Sequence, residues 1–159
     1  MPTDSRLVIL RVEINRLVLE NQPDPERRRY FFSHLYGVSK LCALIAIRRG
    51  LDPGLAAAAG MLHDIHPVMA TDYDDHDIKG GPRAADILKQ TGLYDDYEIE
   101  IISTAVSRHS GKEFVHSPYD EALKDADVLD HCLYDAVLPA DDMQMKRYKN
   151  ILDELGCFL

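Results

Sequence analysis

Ala56-Ala57-Ala58-Ala59-Gly60-Met61-Leu62-His63-Asp64-Ile65-His66 is the stretch on which the reading of this chain turns. From Leu55 to Ile65 the residues are small or apolar, so the segment reads as a buried helix against which neighbouring helices can pack closely, with Pro67 ending it. A histidine and an aspartate stand at its end. A carboxylate beside an apolar core is costly to desolvate unless something compensates it. A divalent cation would do so. Neighbouring residues on a helix diverge by about 100°, yet an ion beside the helix end can still receive both.

Outward from this stretch the pattern stays helical. Upstream, Asp52 is a cap and Pro53 a first helical residue. Glu26 to Arg49 carries Phe31, Leu35, Val38, Leu41 and Ile45 at helical spacing, and Gly50 stops it. Leu7, Leu10, Ile14, Leu17 and Val18 form one face of a first helix (residues 5–21), closed by Pro23 and Pro25, with Asp24 capping the next. Downstream, residues 67–79 hold Asp72, Asp74, Asp75, His76 and Asp77 without an apolar face, and read as an irregular loop. Pro82 to Gln90 reads as a short helix ended by Gly92. Tyr97 to Arg108, Tyr119 to Asp135 and Gln144 to Leu155 read as three more, the last ended by Gly156. No alternating run suggests a strand, and no internal repeat is visible. The expectation is an all-α, single-domain helical bundle (1–159) of about seven helices.

Bulk properties narrow the function. A chain of 159 residues with 46% apolar residues suits one core. A formal net charge of −9 is wrong for a partner such as long DNA or RNA, which needs a basic surface, and for docking on an anionic membrane. No run approaches the ~20 uninterrupted apolar residues of a membrane span, and the N-terminus is broken by Arg11, Glu13 and Arg16, unlike a secretory signal. Cys42, Cys132 and Cys157 are odd in number and widely spaced, which points away from disulfides or a thiolate zinc site and towards reduced thiols in a cytoplasmic setting. There is no Gly-rich phosphate loop and no GxSxG elbow. Cys42 lies inside an apolar helix, as a structural thiol does.

Two more segments keep company with His63-Asp64. His34 sits mid-helix in Tyr30-Phe31-Phe32-Ser33-His34-Leu35-Tyr36-Gly37-Val38, and Asp127 mid-helix in Leu123-Lys124-Asp125-Ala126-Asp127-Val128-Leu129-Asp130. The order His, His-Asp, Asp, each on its own predicted helix, resembles the HD superfamily of metal-dependent phosphohydrolases, which carries H…HD…D on a helical bundle. Supporting stretches are similar too: AAAAGMLHD (56–64) to the family's AAxLHD, GGPRAADIL (80–88) to GAxxAxxIL, ISTAVSRH (102–109) to IxxAIxxH, and LKDADVLD (123–130) to DADxLD. The likeness spans about residues 27–135. The helices at 5–21 and 144–155 lie outside it, where they would complete the core or make a homodimer contact, and the tail ends in Phe158-Leu159, which must pack somewhere.

The resemblance implies a first metal on His34, His63, Asp64 and Asp127, with Asp125 and Asp130 as helix polar residues, orienting groups or substrate contacts. It implies a second metal, as in some members, on His76 and His109 with Asp64 bridging. Histidine and carboxylate ligands suit one or two ions of Mn, Fe, Co, Ni or Mg, with zinc admissible. Such a site lowers the pKa of a bound water to about 7 and neutralises charge on a phosphoryl group, so Asp64 is catalytic as well as a ligand. His66 is the candidate proton donor by proximity. Lys79, Arg83, Arg108 and Lys112 flank the metal histidines and are candidate phosphate contacts. His116 reads as an exposed loop residue, and His131 as a packing or surface residue.

The expected function is hydrolysis of a phosphate ester or anhydride of a small molecule, a nucleotide by preference. Tyr36, Tyr73 and Tyr119 are available as a base wall. His109-Ser110-Gly111 is only distantly similar to the His-Thr-x-Gly of dinucleoside polyphosphate hydrolases. The GYP segment of cyclic di-guanylate hydrolases is absent, as are the further motifs of alarmone hydrolases. The alternative is a non-catalytic module of the same type that binds metal and nucleotide as a sensor.

Overall fold

The computed structural model describes residues 5–70 and 72–157. Thr71, inside the expected loop, and the Phe158-Leu159 tail lie outside the described residues. Eight helices are present among those described: α1 (Ser5–Asn21), α2 (Pro25–Arg49), α3 (Pro53–Leu62), α4 (Ile65–Ala70), α5 (His76–Thr91), α6 (Asp96–Arg108), α7 (Pro118–Asp135) and α8 (Asp142–Glu154). The described residues contain no strand.

The ends are set by local chemistry. Asp24 accepts from the Glu26 N–H, and Asp52 from those of Gly54 and Leu55, each with a proline opening the helix that follows. Gly50 closes α2 at φ 69°, in the left-handed region that glycine enters without steric cost. Asp95 and Glu98 form a reciprocal capping box on α6.

Helix α2 is the centre of the bundle, packing on α3 and α7, while α6 contacts α3 and α7 and pairs with α5. Its buried stripe is Phe31, Leu35, Val38, Cys42 and Ile45. By length and mean composition α2 could cross a membrane, although Ser33, His34, Ser39 and Lys40 interrupt its apolar run. In the fold, that apolar stripe is buried between neighbouring helices. Close approach of α2 and α3 depends on Gly60, where a Cβ would meet the Ser39 Cα at 2.7 Å. The α1 face packs on α3 and α4 through Leu10, Ile14, Leu17 and Val18, as its spacing predicts.

Two departures from the expected order concern the region around His63-Asp64. The helix expected to run to Ile65 ends at Leu62, and a separate short helix, α4, follows. This makes eight helices rather than seven. Six residues are too few to hold a helix on their own. The fully buried Ile65 and Val68 supply roughly 1.5–3 kcal/mol each, and Gln22 Nε2 donates to the otherwise orphaned carbonyls of Pro67 and Val68 at 3.1 and 2.6 Å. The second departure is α5, which begins at His76 instead of Pro82, so Pro82 lies inside it. Residues 67–79 are therefore largely helical, not a loop. Gly80 and Gly81 let α5 seat tightly on α6, where a Cβ on Gly81 would fall 2.9 Å from the Ser103 carbonyl. Packing there outweighs the hydrogen bond that the proline cannot make.

Candidate metal centre

Helices α2, α3 and α7 bring His34, His63, Asp64 and Asp127 to one point. The His34 and His63 Nε2 atoms are 3.0 Å apart. His34 Nε2 lies 3.6 Å from Asp64 Oδ2 and 3.4 Å from Asp127 Oδ1, and His63 Nε2 lies 3.6 Å from each of the same two oxygens. Ligand atoms held about 2.1 Å from one ion are themselves separated by about 3.0–3.4 Å, so these four lie at nearly the mutual spacing that an ion demands.

The hydrogen bonds on the far side of each ring assign the tautomers. His34 Nδ1 donates to Asp130 Oδ2 at 2.8 Å, and His63 Nδ1 to the Gly60 carbonyl at 2.8 Å. In the neutral form of the rings, the form that binds metal, both Nε2 atoms then present lone pairs to each other across 3.0 Å. Two facing lone pairs beside two carboxylates call for a cation between them. Asp127 Oδ1, buried and without a hydrogen-bond partner, faces the same point. An orphaned buried carboxylate oxygen costs on the order of 1–3 kcal/mol or more unless a ligand satisfies it. Gly37, one turn past His34, makes room for the Asp130 carboxylate, which a Cβ would strike.

A second group repeats the arrangement. His76 opens α5 and His109 caps the end of α6. Their Nδ1 atoms donate to the Tyr73 and Val106 carbonyls at 3.0 and 2.8 Å, and their Nε2 atoms face each other at 3.2 Å. Asp64 Oδ1 is 3.5 Å from His76 Nε2 and 3.6 Å from His109 Nε2. Asp64 thus turns one oxygen to each pair of histidines, the disposition of a bridging carboxylate. The His/Asp set has the composition and spacing to hold divalent metal.

The electrostatics agree. Burial pushes the Asp64 carboxyl up, but His63 and His109 outweigh it and hold the group below the usual range. Burial acts the same way on Asp127, and Lys112 and His63 hold it well below that range. His63 is driven down to about 4 by burial, despite Asp64. His34 is also penalised by burial, yet the Asp130 bond and the Asp127 charge leave it raised. Two ionised carboxylates and at least one neutral imidazole therefore meet at neutral pH.

The cluster opens into a cleft of about 300 Å³, lined by Asp64, His76, His109 and Asp127 and walled by Tyr30 and Tyr73. Burial, then the Asp64 charge, pushes both phenols up, so they stay protonated. Of the four cations expected to contact phosphate, the structure brings Lys112 to this cleft. Its Nζ donates to Asp127 Oδ2 and to the His109 carbonyl, both at 2.6 Å. The others point elsewhere: Lys79 stands 3.9 Å from Asp72, Arg83 reaches Met69 Sδ, and Arg108 pairs with Asp120 at 3.1 Å. His66, expected as a proton donor, is buried with its Nε2 on Asp72 at 3.2 Å and does not line the cleft. Of the three tyrosines considered for a base wall, Tyr73 is in place. Tyr36 bonds Asn15, and the Tyr119 hydroxyl accepts from the Asp52 N–H.

Two residues of the site were not anticipated as such. His131, expected as a packing or surface residue, lines the cleft with its Nε2 3.4 Å from Asp127 Oδ1 and its ring 4.5 Å from that of His34. Its spacing of four from Asp127 on one helix is the signal that could have found it. Tyr30 stacks on His34 at 5.4 Å, again four residues away on the same helix.

The HD domain family matches residues 31–132. Ribonuclease Y of Clostridium tetani (strain Massachusetts / E88) is 36% identical over 83 residues, which is 50% of this chain but 14% of that protein's length. The crystal structure of a predicted HD superfamily hydrolase from an uncultured Thermotogales bacterium aligns with a TM-score of 0.61 at 24% identity, over 91% of this chain and 88% of that one. That likeness concerns the fold. The family match spans more than half of the sequence, and the chain belongs to the HD-domain family.

Proposed function

We propose that this protein is a metal-dependent phosphohydrolase acting on a small phosphorylated molecule, with a nucleotide as the preferred class. The observation that carries the reading is the pair of facing imidazole couples, His34/His63 and His76/His109, joined by the two oxygens of Asp64. In this reading His34, His63, Asp64 and Asp127 hold one divalent ion, and Asp64, His76 and His109 a second. Ions bound there would acidify a coordinated water and neutralise phosphoryl charge.

The chain's own groups supply the rest. Asp130 and the Gly60, Tyr73 and Val106 carbonyls lock four imidazoles in the tautomer that presents Nε2. Lys112 holds Asp127 Oδ2, which keeps Oδ1 turned inward, and sets a positive charge at the cleft for a phosphate oxygen. His131, on the open side, is better placed than His66 to exchange a proton with a leaving group. Tyr30 and Tyr73 offer ring faces for a base. A cleft of about 300 Å³ lies at the lower end of the ~300–1,000 Å³ of small-molecule sites. Unpaired cysteines are consistent with work in the cytoplasm.

The test is hydrolysis, read by chromatography of the products, of a panel of nucleoside phosphates, dinucleoside polyphosphates and, because the clostridial relative is named as a ribonuclease, a short RNA, each with Mn²⁺, Co²⁺ or Mg²⁺. Turnover that vanishes in Asp64→Ala with helix content intact supports the proposal. Binding without turnover under every ion would assign the cleft to a sensor module instead.

A further inference from the structure

Arg147 lies on α8, beyond the segment matched to the HD family (31–132). Its side chain is 12% exposed and makes four hydrogen bonds of 2.8–3.1 Å. Nη1 donates to Glu121 Oε2 and Asp125 Oδ1, both on α7. Nε and Nη2 donate to the backbone carbonyls of Lys112 and Phe114, in the connection between α6 and α7. A strut that merely tied α8 to α7 would need only the carboxylates. The two carbonyl bonds reach into the loop that carries the cleft's lysine.

That loop has little else to hold it. Phe114 and Val115 are 58% and 84% exposed, so apolar burial does not anchor it. Beyond its own backbone turns and the contact of Ser110 Oγ with His76 Nε2 at 3.3 Å, its attachments are polar and come from α7 and α8. Besides Arg147, the fully buried Lys124 donates to the Phe114 carbonyl at 2.8 Å and meets His116 Nδ1 at 2.7 Å, and the His116 N–H donates to Glu121. Lys112 is thereby held at both ends, its carbonyl by Arg147 and its ammonium by Asp127 and the His109 carbonyl. The guanidinium stays charged: burial works against it, but Glu121 and Asp125 raise its pKa further. A planar fork reaching two carbonyls and two carboxylates at once is something a lysine cannot reproduce.

We infer that Arg147 is a positioning residue for the cleft: α8 clamps the 109–117 loop through it, so that Lys112 meets a phosphate group from a fixed position. The inference rests on the phosphohydrolase reading for what Lys112 does, and on geometry alone for the clamp. The experiment compares Arg147→Ala, Arg147→Lys and Lys112→Ala in the full-length, Mn²⁺-loaded protein. Ile151→Val serves as a control that loosens the buried side of the same helix without touching the loop.

Backbone amide exchange over residues 110–116 is expected to speed up roughly tenfold or more in Arg147→Ala, the scale of a lost charged hydrogen bond. Affinity for inorganic phosphate, read by calorimetry, should weaken by about tenfold, approaching the loss in Lys112→Ala. Mn²⁺ stoichiometry should be unchanged, and Arg147→Lys should not rescue. On a hydrolysed substrate, KM should rise more than kcat falls. Equal loss of phosphate affinity in Ile151→Val at matched thermal stability, or full rescue by Arg147→Lys, would overturn the clamp. If the wild type neither binds phosphate nor hydrolyses any ester, the phosphohydrolase reading fails. The clamp then stands or falls on amide exchange, and unchanged exchange in Arg147→Ala sinks it.

Discussion

The inner cluster of His34, His63, Asp64 and Asp127 hangs from helix middles and the α3–α4 turn, with side chains 10% exposed or less. The outer trio shares Asp64 but takes its histidines from helix ends, and His76 is 23% exposed beside Asp75 in a left-handed conformation. Both use the same device, an Nδ1–H fixed by an oxygen so that Nε2 faces inward. They differ in what supports it. In the inner cluster the support is the packed core, the Asp130 carboxylate behind His34 and the Gly60 carbonyl behind His63. In the outer one it is two backbone carbonyls near helix termini with no carboxylate behind either ring, where local opening is cheapest. If the site holds two ions as proposed, the difference predicts an inner ion held tightly and an outer ion that exchanges.

The largest effect should come from the residue the two halves share. Asp64→Ala is expected to lower hydrolysis on the order of a thousandfold, as when electrostatic stabilisation of a charged transition state is removed, with circular dichroism unchanged. Activity within tenfold of wild type would break the shared-carboxylate view. Next, metal content by mass spectrometry should separate the halves: His34→Ala loses the inner ion, whereas His76→Ala keeps one ion per chain. Simultaneous loss of both ions in His76→Ala would erase the distinction.

A smaller change is expected in Asp130→Ala, which removes the support rather than the ligand. Inner-ion affinity should fall by about 10–100-fold with the outer unaffected, measured by titration with Mn²⁺. The smallest effect concerns pH in the metal-stripped protein. His63 has a folded pKa of about 4, below its unfolded value near 6.5. Between those values the unfolded chain takes up a proton that the folded one refuses, so the His63 contribution to stability is full above pH 6.5 and shrinks as pH falls towards 4. His34, raised, opposes it: its contribution is present below its unfolded value and lost as pH rises through its folded pKa. Denaturation midpoints at pH 7 and pH 5 should therefore drop less in His63→Gln than in wild type. An equal or larger drop would show that His63 is not buried as the neutral form.

Much of this was legible in the linear order of residues. Helix caps at Asp24 and Asp52 act within a few residues, and amphipathic spacing on α1 and α2 reports burial directly, so local pattern sufficed. The four inner positions and His109 were legible because each stands in a recognisable motif. The start of α5 was not, since Asp74, Asp75 and Asp77 carry no apolar face and Pro82 reads as a beginning. Its helical conformation is held by Gly81 seating on α6, a contact between distant segments. His66 misled for the opposite reason. It is two residues from Asp64 in sequence, but the α3–α4 break turns it towards Asp72.

What the sequence determined by itself was the all-helical class, the core and the order of the histidines and aspartates that meet in the cluster, because period, capping and short motifs are properties of neighbouring residues. Which cation reaches the cleft was decided by the tertiary structure alone. Lys79, Arg83, Arg108 and Lys112 are equivalent as letters. A charged side chain takes its role from the carboxylates and carbonyls that folding brings within about 3 Å of it, and for Lys112 those are Asp127, His109 and, through its backbone, Arg147.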